Sequence, residues 1–488
     1  MDSSRDSLTD RASASVSSLS SCDTTVKDDT KAAEAGAHAT PDLEKGLQNL
    51  ERKPLAELRY KDFNTYKRLC SLIIVGNLAA TIIILTRAGI ERNMPTLASL
   101  CIHMGAANTM VCSLIRSPII INILFSLFSA IPRSAPLRLR RICCKVFHLG
   151  GVHSGTGTSA LIWFIGFLIS YTMSKPWENP RPAAVFGLAL AVMVLLLSIV
   201  VVAIPGFRRR FHDTFELTHR FAGWATLVLF WALLFLHAYD EAVVGNTTSV
   251  TSFLVTFPTF WFLSVSTVAA IWPWTMLRKV DVTPEKLSAH ATRLHLHHLP
   301  DMGFGQGLSL AKHPLKDWHS FAAFTDRFDT STPGFSCLVS NAGNWTGSVI
   351  QGGPTQIWVR GIPVCGFGHV MKMFHRIIMV TTGSGIGPCL SFIGDENRPA
   401  MRVVWQTRSP LRTYGQRTVN LVKRLDQDPV ILDTDVLGRV DMLPLIRDMA
   451  KEFEAEAVCV ISNPRLTARL VFELESTGIP AYGPIFDS

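Results

Sequence analysis

Residues 375–392 read HRIIMVTTGSGIGPCLSF: an apolar run from Ile377 to Val380, then Gly383, Ser384, Gly385, Ile386, Gly387 and Pro388, then a segment able to start a helix. A buried strand that runs into a glycine turn and a helix brings backbone N–H groups and a helix N-terminus up to a diphosphate. Glycine serves there because a Cβ would obstruct the approach and because some positions call for positive φ. Pro388 suits the first turn of the helix. Upstream, Trp318, His319, Ser320 and Phe321 combine aromatic rings with an imidazole donor, and Gly343, Asn344, Trp345 and Thr346 set a glycine beside an aromatic ring. Five histidines, His103, His148, His153, His219 and His237, lie in apolar stretches, where an ionisable group is a functional candidate.

The surrounding elements follow from pattern. Six apolar stretches approach the roughly 20 residues needed to span a bilayer: Leu72–Ile90, Thr96–Ile115, Val146–Met173, Ala183–Ile204, Phe221–Tyr239 and Phe253–Met276. Ile119–Ile131 is a shorter apolar run of interfacial character. Beyond residue 280, His290–His298, Trp318–Thr325, Phe335–Ser340 and Gln356–Arg360 read as short strands between Gly, Pro and Asn clusters, which predicts a small antiparallel barrel. From 375 on, strands at 377–381, 402–407, 429–433 and 457–461 alternate with helical segments, among them Thr418–Leu425 and Leu466–Ser476, which predicts a parallel sheet with crossover helices. The expected architecture is therefore a six-helix membrane bundle (61–279), an antiparallel β-barrel (280–370) and an α/β parallel-sheet domain (371–488). A polar tail, 1–60, is too poor in apolar residues to fold and carries no signal-peptide core.

Net charge is +9 and 48% of residues are hydrophobic. Nucleic acid is not the partner that this charge implies, because the basic residues cluster beside the apolar spans. Arg133, Arg138, Arg140, Arg141 and Lys145 precede the third span, Arg208, Arg209 and Arg210 follow the fourth, and Arg278 and Lys279 follow the sixth. With the Lys61–Arg68 flank, these loops are expected on the cytosolic side, and both termini with them. The opposite loops hold only Arg87 and Arg92, then Lys175 and Arg181, and the last contains a glycosylation sequon at Asn246. Ten cysteines include no CxxC pair, so neither a zinc site nor a disulfide framework is indicated. Cys143 and Cys144 are either acylation sites at a basic loop or ordinary buried thiols.

GSGIGPCLSF resembles the nicotinamide-nucleotide turn of the ferredoxin–NADP reductase superfamily, usually GTGIAPFRSF. Joined to six spans, the region beyond 280 resembles the ferric reductase and NADPH oxidase architecture, most closely a group of fungal transmembrane flavoproteins linked to conidiation control. Trp318-His319-Ser320-Phe321-Ala322 is similar to the WHPFT of the oxidases, whose strand holds the isoalloxazine of FAD; Ala322 lacks the family's hydroxyl. Gly343-Asn344-Trp345-Thr346 is similar to GDWT, at a helix start facing the FAD diphosphate. The resemblance implies that Thr407 and Arg408 lie at the adenosine ribose, where a guanidinium suits the 2′-phosphate of NADP over NAD. It also places Ser462 where the family has a cysteine at the nicotinamide–flavin contact, and Phe486, or else Tyr482, as the terminal aromatic covering the flavin.

The family wires electrons through two bis-histidine haems between spans three and five. Here two readings stand open: one cytosol-side haem held by His148 or His153 with His219, or histidines that hydrogen-bond between helices or sit at headgroup level. His237, eighteen residues beyond His219 and on the same helix face, has no partner on span three. The resulting reading is an integral membrane FAD protein that passes electrons from cytosolic NAD(P)H to an unknown acceptor. Its rivals are a transmembrane ferric or oxygen reductase with haem, and a redox-sensing regulator with little turnover.

Overall fold

The computed structural model describes residues 55–484 apart from 92–93, 175–179, 245–248, 298, 300–301, 317, 326–333, 394 and 396. The tail to residue 54, Arg92, Lys175, Asn246, His298 and Phe486 lie outside the described residues.

The apolar stretches form helices α1 (Thr65–Glu91), α2 (Met94–Leu114), α5 (Gly150–Ser174), α6 (Pro180–Val202), α7 (His212–Tyr239), α8 (Val250–Thr256) and α9 (Pro258–Thr275). Among the described residues five helices are long and apolar enough to cross a membrane, and a sixth span results if α8 and α9, bent by 76° where Pro258 opens the second, count as one. Ile102, Trp163, Phe164, Phe167, Phe230 and Leu234 fill the bundle core. One polar knot crosses it: Asn108 Nδ2 and Trp163 Nε1 both donate to Asn77 Oδ1, at 2.9 and 2.8 Å, so the polar groups of three helices satisfy one another. The outward faces are apolar, with Leu72, Ile82, Val194, Val228 and Val268 exposed.

The run expected at an interface is helix α3 (Pro118–Ser129), and it serves as a bracket for the rest of the chain. Asn122 Nδ2 donates to Pro363 O and its Oδ1 accepts from Cys365 N, both at 2.8 Å. After it, helix α4 (Leu137–Cys143) buries Arg140, which grips Glu456 with two bonds of 2.8 and 2.9 Å and donates to Met373 O at 3.0 Å. Arg133 Nε donates to Lys372 O at 2.8 Å. Two of the arginines counted as topology signals are thus also structural fastenings. Burial alone would push Glu456 up, but the hydrogen bonds from Arg140 and His375 N hold it below the usual carboxylate range. Cys144 is completely buried and Cys143 nearly so. Burial pushes the Cys144 thiol well up, so acylation is set aside there in favour of a packed thiol.

The barrel closes in the order β1-β2-β5-β4-β3-β6, from β1 (Arg278–Lys286), β2 (Ala291–His297), β3 (Gln306–Ala311), β4 (His319–Phe324), β5 (Gly334–Ser340) and β6 (Gln356–Cys365), with helix α10 (Asn344–Gly352) between the last two. β1 and β3 were not expected from the sequence, and β6 runs five residues past Arg360. The second sheet is parallel, in the order β11-β10-β7-β8-β9: β7 (Arg376–Thr382), β8 (Ala400–Thr407), β9 (Val430–Asp433), β10 (Ala457–Ile461) and β11 (Ala481–Tyr482). Its helices are α11 (Ile386–Leu390), α12 (Pro410–Leu425), α13 (Met442–Glu452) and α14 (Pro464–Ser476). Unbroken apolar runs such as Ile377–Val380 become central strands because both faces of a parallel sheet are covered.

Candidate functional site

The glycine turn sits at the carboxyl end of central strand β7. Gly383 adopts φ +51°, a left-handed value that a side chain resists, and its carbonyl accepts from Trp405 Nε1 at 2.9 Å. Gly385 has a different reason to be glycine. A Cβ there would run into the Ile461 carbonyl and the Thr381 hydroxyl, which are already bonded to each other at 2.8 Å. Its lack of a side chain is dictated by the β7–β10 contact rather than by an open approach path, which corrects the reading from sequence. Ile386 and Gly387 are buried, leaving Ser384 as the exposed residue of the turn. Gly387 lies against Leu338 of β5, and α11 packs on β4 and β5, so the turn abuts the barrel.

Ser462 follows β10. Its hydroxyl is hydrogen-bonded to that of Thr382, and its N–H donates to Thr467 Oγ1 at 3.2 Å. Two hydroxyls on neighbouring strand ends thus stand beside the turn. Of Thr407 and Arg408, only the second is presented. Thr407 is buried and bonds Tyr414, whose hydroxyl burial pushes up. Arg408 Nε donates to Asp435 Oδ1 at 2.9 Å, and Arg412 shares that carboxylate at 3.3 Å. Both guanidiniums are nearly four-fifths exposed. The Ser409 hydroxyl at 2.6 Å, then Arg408, hold Asp435 below its ordinary range.

On the barrel side the two motifs converge. The Trp345 ring lies 4.4 Å from His319 and stacks at 5.6 Å on Phe321. Trp345 is 8% exposed, and its Nε1 has no hydrogen-bond partner. The Thr346 hydroxyl is engaged as a helix cap, accepting from Ala342 N and Gly343 N at 2.9 and 3.0 Å; it is a structural residue in this arrangement. Gly343 is extended, and an added Cβ would meet nothing within 4 Å. Neither backbone nor packing asks for glycine there, and the position leaves open space at the start of α10. Ser320 Oγ lies 3.3 Å from Ser309 Oγ. Trp318 points elsewhere than expected: its Nε1 donates to Pro314 O at 2.9 Å, and its ring and Trp274 of α9 enclose Arg360, each centroid 4.6 Å from the guanidinium. Burial lowers Arg360 to about 10.

A groove of about 310 Å³ beside these rings is lined by Lys312, His313, Lys316, Asn344, Trp345 and Ser348. Its three basic residues were missed in the sequence, where the available signal was the short basic loop AKHPLK ahead of Trp318.

The histidines form two pairs rather than one cluster. His153 and His219 have ring centroids 5.9 Å apart, and His153 Nδ1 also contacts Cys112 O at 3.0 Å. His148 stacks on Phe147 at 4.2 Å, with Nδ1 3.2 Å from Lys145 O. His237 finds its neighbour on α2: it and His103 lie 5.6 and 4.4 Å from the same ring, Phe257. Among the described residues no group of three His, Cys, Asp or Glu could hold a metal ion. Tyr482 is buried in β11 against Phe374 and Phe147.

A family model described as "Adenylate-forming reductase 03009, C-terminal domain" matches residues 367–488. The chain is 38% identical over 485 residues to adenylate-forming reductase 03009 of Coprinopsis cinerea, covering 96% of this chain and 46% of that protein. It is 40% identical over 433 residues to adenylate-forming reductase 06235 of the same fungus, covering 88% and 41%. The chain therefore spans less than half the length of these curated relatives, and their names are not those of ferric reductases or conidiation proteins. Among solved structures, a ferredoxin NADP+ reductase from Neisseria gonorrhoeae with bound FAD and NADP is 13% identical, with a TM-score of 0.34, over 43% of this chain and 99% of that one.

Proposed function

We propose that this chain is a membrane-embedded oxidoreductase unit that binds FAD on its barrel and NAD(P)H on its parallel sheet, and passes electrons to an acceptor. The observation that carries the reading is the placement of the Gly383–Gly387 turn, with the Thr382–Ser462 hydroxyl pair beside it, against the barrel that presents His319 and Phe321 and that carries Trp345 on α10. FAD, when bound, supplies the capacity to take a hydride from the nicotinamide and release its electrons onward. His319, Phe321 and Trp345 would hold its ring system and Gly343 would admit its diphosphate. Ser384 and Arg408 would contact the nicotinamide nucleotide. The relatives' name, adenylate-forming reductase, agrees with the reductase part of this reading. Helices whose apolar side chains face outward support a bundle set in lipid, with the basic loops and both sheets on the cytosolic side. The histidines pair as His153 with His219 and His103 with His237, with His148 apart, and haem is left out of this reading.

Gly343→Glu tests the flavin site cleanly, because the position has open space. Purified from detergent, the variant should fold as the parent does and lose most of its bound flavin; full flavin content would sink the assignment. Arg408→Ala should raise the KM for NADPH about tenfold and leave NADH unchanged, since only the former brings a 2′-phosphate to a guanidinium. Anaerobic flavin reduction with each nucleotide measures this, and equal effects on both would remove the NADP preference. A regulatory protein with slow turnover is the second reading, favoured by Ala322 and by the engagement of the Ser462 hydroxyl with Thr382; steady-state NAD(P)H consumption separates the two.

A further inference from the structure

The glycine turn is held from behind by a residue of the neighbouring strand. Trp405 is wholly buried near the end of β8, in register with Thr381 of β7. Its Nε1, which can only donate, donates to Gly383 O at 2.9 Å. The same carbonyl also accepts from Ile386 N. Two donors from different elements fix the plane of the 383–384 peptide. One alone would leave it free to swing, because Gly383, at φ +51°, has no side chain to resist.

That orientation decides where the next N–H points. A trans peptide is planar, and its C=O and the following N–H point opposite ways. With Gly383 O turned inward to the indole, Ser384 N–H is turned outward, and Ser384 is the exposed residue of the turn. Tyr414 of α12 backs the indole. It is 1% exposed, and its ring lies 5.3 Å from that of Trp405. Its hydroxyl is 3.7 Å from the place a Cβ on Gly383 would take. Rings packed in this way do not turn freely, so the direction of the peptide is set before a ligand arrives.

We propose that Trp405 is a positioning residue for the nicotinamide nucleotide: its indole N–H holds the 383–384 peptide so that Ser384 N–H is presented to the diphosphate. The inference rests on the nucleotide reading above and adds to it the buried group that aims the turn. A donor fixed in advance costs no reorganisation when the anion reaches it. NADH and NADPH share the diphosphate, so Trp405 should matter equally for both. Arg408 differs, since its guanidinium is offered to the 2′-phosphate of NADPH alone.

The test is anaerobic flavin reduction by the full chain, purified in detergent with FAD bound. The reductants are NADPH, NADH and 1-benzyl-1,4-dihydronicotinamide, which donates a hydride but carries no phosphate. Trp405→Phe keeps a buried ring, and Gly383 O keeps its bond from Ile386 N, so the protein should fold. The half-saturating concentrations of NADPH and NADH should each rise about tenfold, with the limiting rate unchanged. The benzyl compound should react at the parental rate. Benzothienylalanine at position 405, which has the shape of tryptophan but sulfur in place of the N–H, should behave as Trp405→Phe does and guards against a packing defect. Parental half-saturation in the benzothienylalanine protein would overturn the proposal. Equal slowing with all three reductants would make Trp405 a packing residue and overturn it too. A rise for NADPH alone would move its action to the Arg408 end, and the role given to Ser384 N–H would fall. A parent reduced by the benzyl compound but by neither nucleotide fails the nucleotide reading itself, whatever Trp405 does.

Discussion

Arg140→Met will loosen the parallel-sheet domain from the loop that brackets it. The guanidinium and the Glu456 carboxylate have side chains only 5% and 17% exposed. Removing one partner strands a buried charge, at a cost of about 3–5 kcal/mol. The expected readout is rapid proteolysis in the 366–376 connection, where the parent is protected. Arg140→Met/Glu456→Met should recover most of the loss, because two apolar side chains leave no unpaired charge; a double variant as sensitive as the single one would show that the pair is not the fastening. The pH dependence has a definite sign. Glu456 is held below its unfolded value in the folded state, so its contribution is complete above the ordinary glutamate range, near about 4.3, and disappears as pH falls through the depressed folded value. Docking should therefore be insensitive to pH from neutrality down to that range, and Glu456→Gln should abolish the acid-side transition.

Gly385→Ala and Ser384→Glu, adjacent substitutions, should fail for opposite reasons. The alanine methyl has no space, because its obstacles are the Ile461 carbonyl and the Thr381 hydroxyl bonded to it. The expected loss is about 3 kcal/mol, the upper end for forcing atoms into a packed interior, seen as a lower unfolding temperature with flavin released as the domain melts. Ser384 is exposed, so Ser384→Glu should keep parental stability and flavin content. Its carboxylate would oppose the nucleotide's diphosphate and lower kcat/KM for NAD(P)H about a hundredfold, about 2.7 kcal/mol of repulsion in a partly desolvated site. A Ser384→Glu protein reduced at the parental rate would mean that no nucleotide reaches the turn. A stable Gly385→Ala protein would mean that β7 and β10 yield more readily than their contact implies.

These two residues mark where the sequence could be read and where it could not. The central strands were legible, because Ile377–Val380 and Ala457–Ile461 are apolar without interruption and both faces are covered. β1 was not: in Arg278–Lys286 only Val280 and Val282 are buried, and charges and a proline surround them. β3 carries a glycine and a bulge that break its alternation. The motif residues were found by type, but their tasks depend on partners distant in the chain. The sequence could not show that the Trp318 ring packs with Trp274 about Arg360, or that the Thr346 hydroxyl caps a helix. The lysines of the groove had one local sign, the basic run ahead of Trp318, but nothing in that run told that the fold sets them beside Asn344 and Trp345.

The Arg140–Glu456 bond joins residues 316 positions apart. A ribosome adding about 5–20 residues per second needs about 15–60 s to travel between them. Throughout that interval Arg140 is an unpaired cation beside freshly made apolar helices. On the membrane proposal, that is the condition in which positive charge retains a loop on the cytosolic side. The same guanidinium then acts as an address while the chain is being made and as a rivet once it is complete. The two partners should consequently differ in when they matter: losing Glu456 spoils only the finished assembly, whereas losing Arg140 also weakens the decision about which way the helices are threaded.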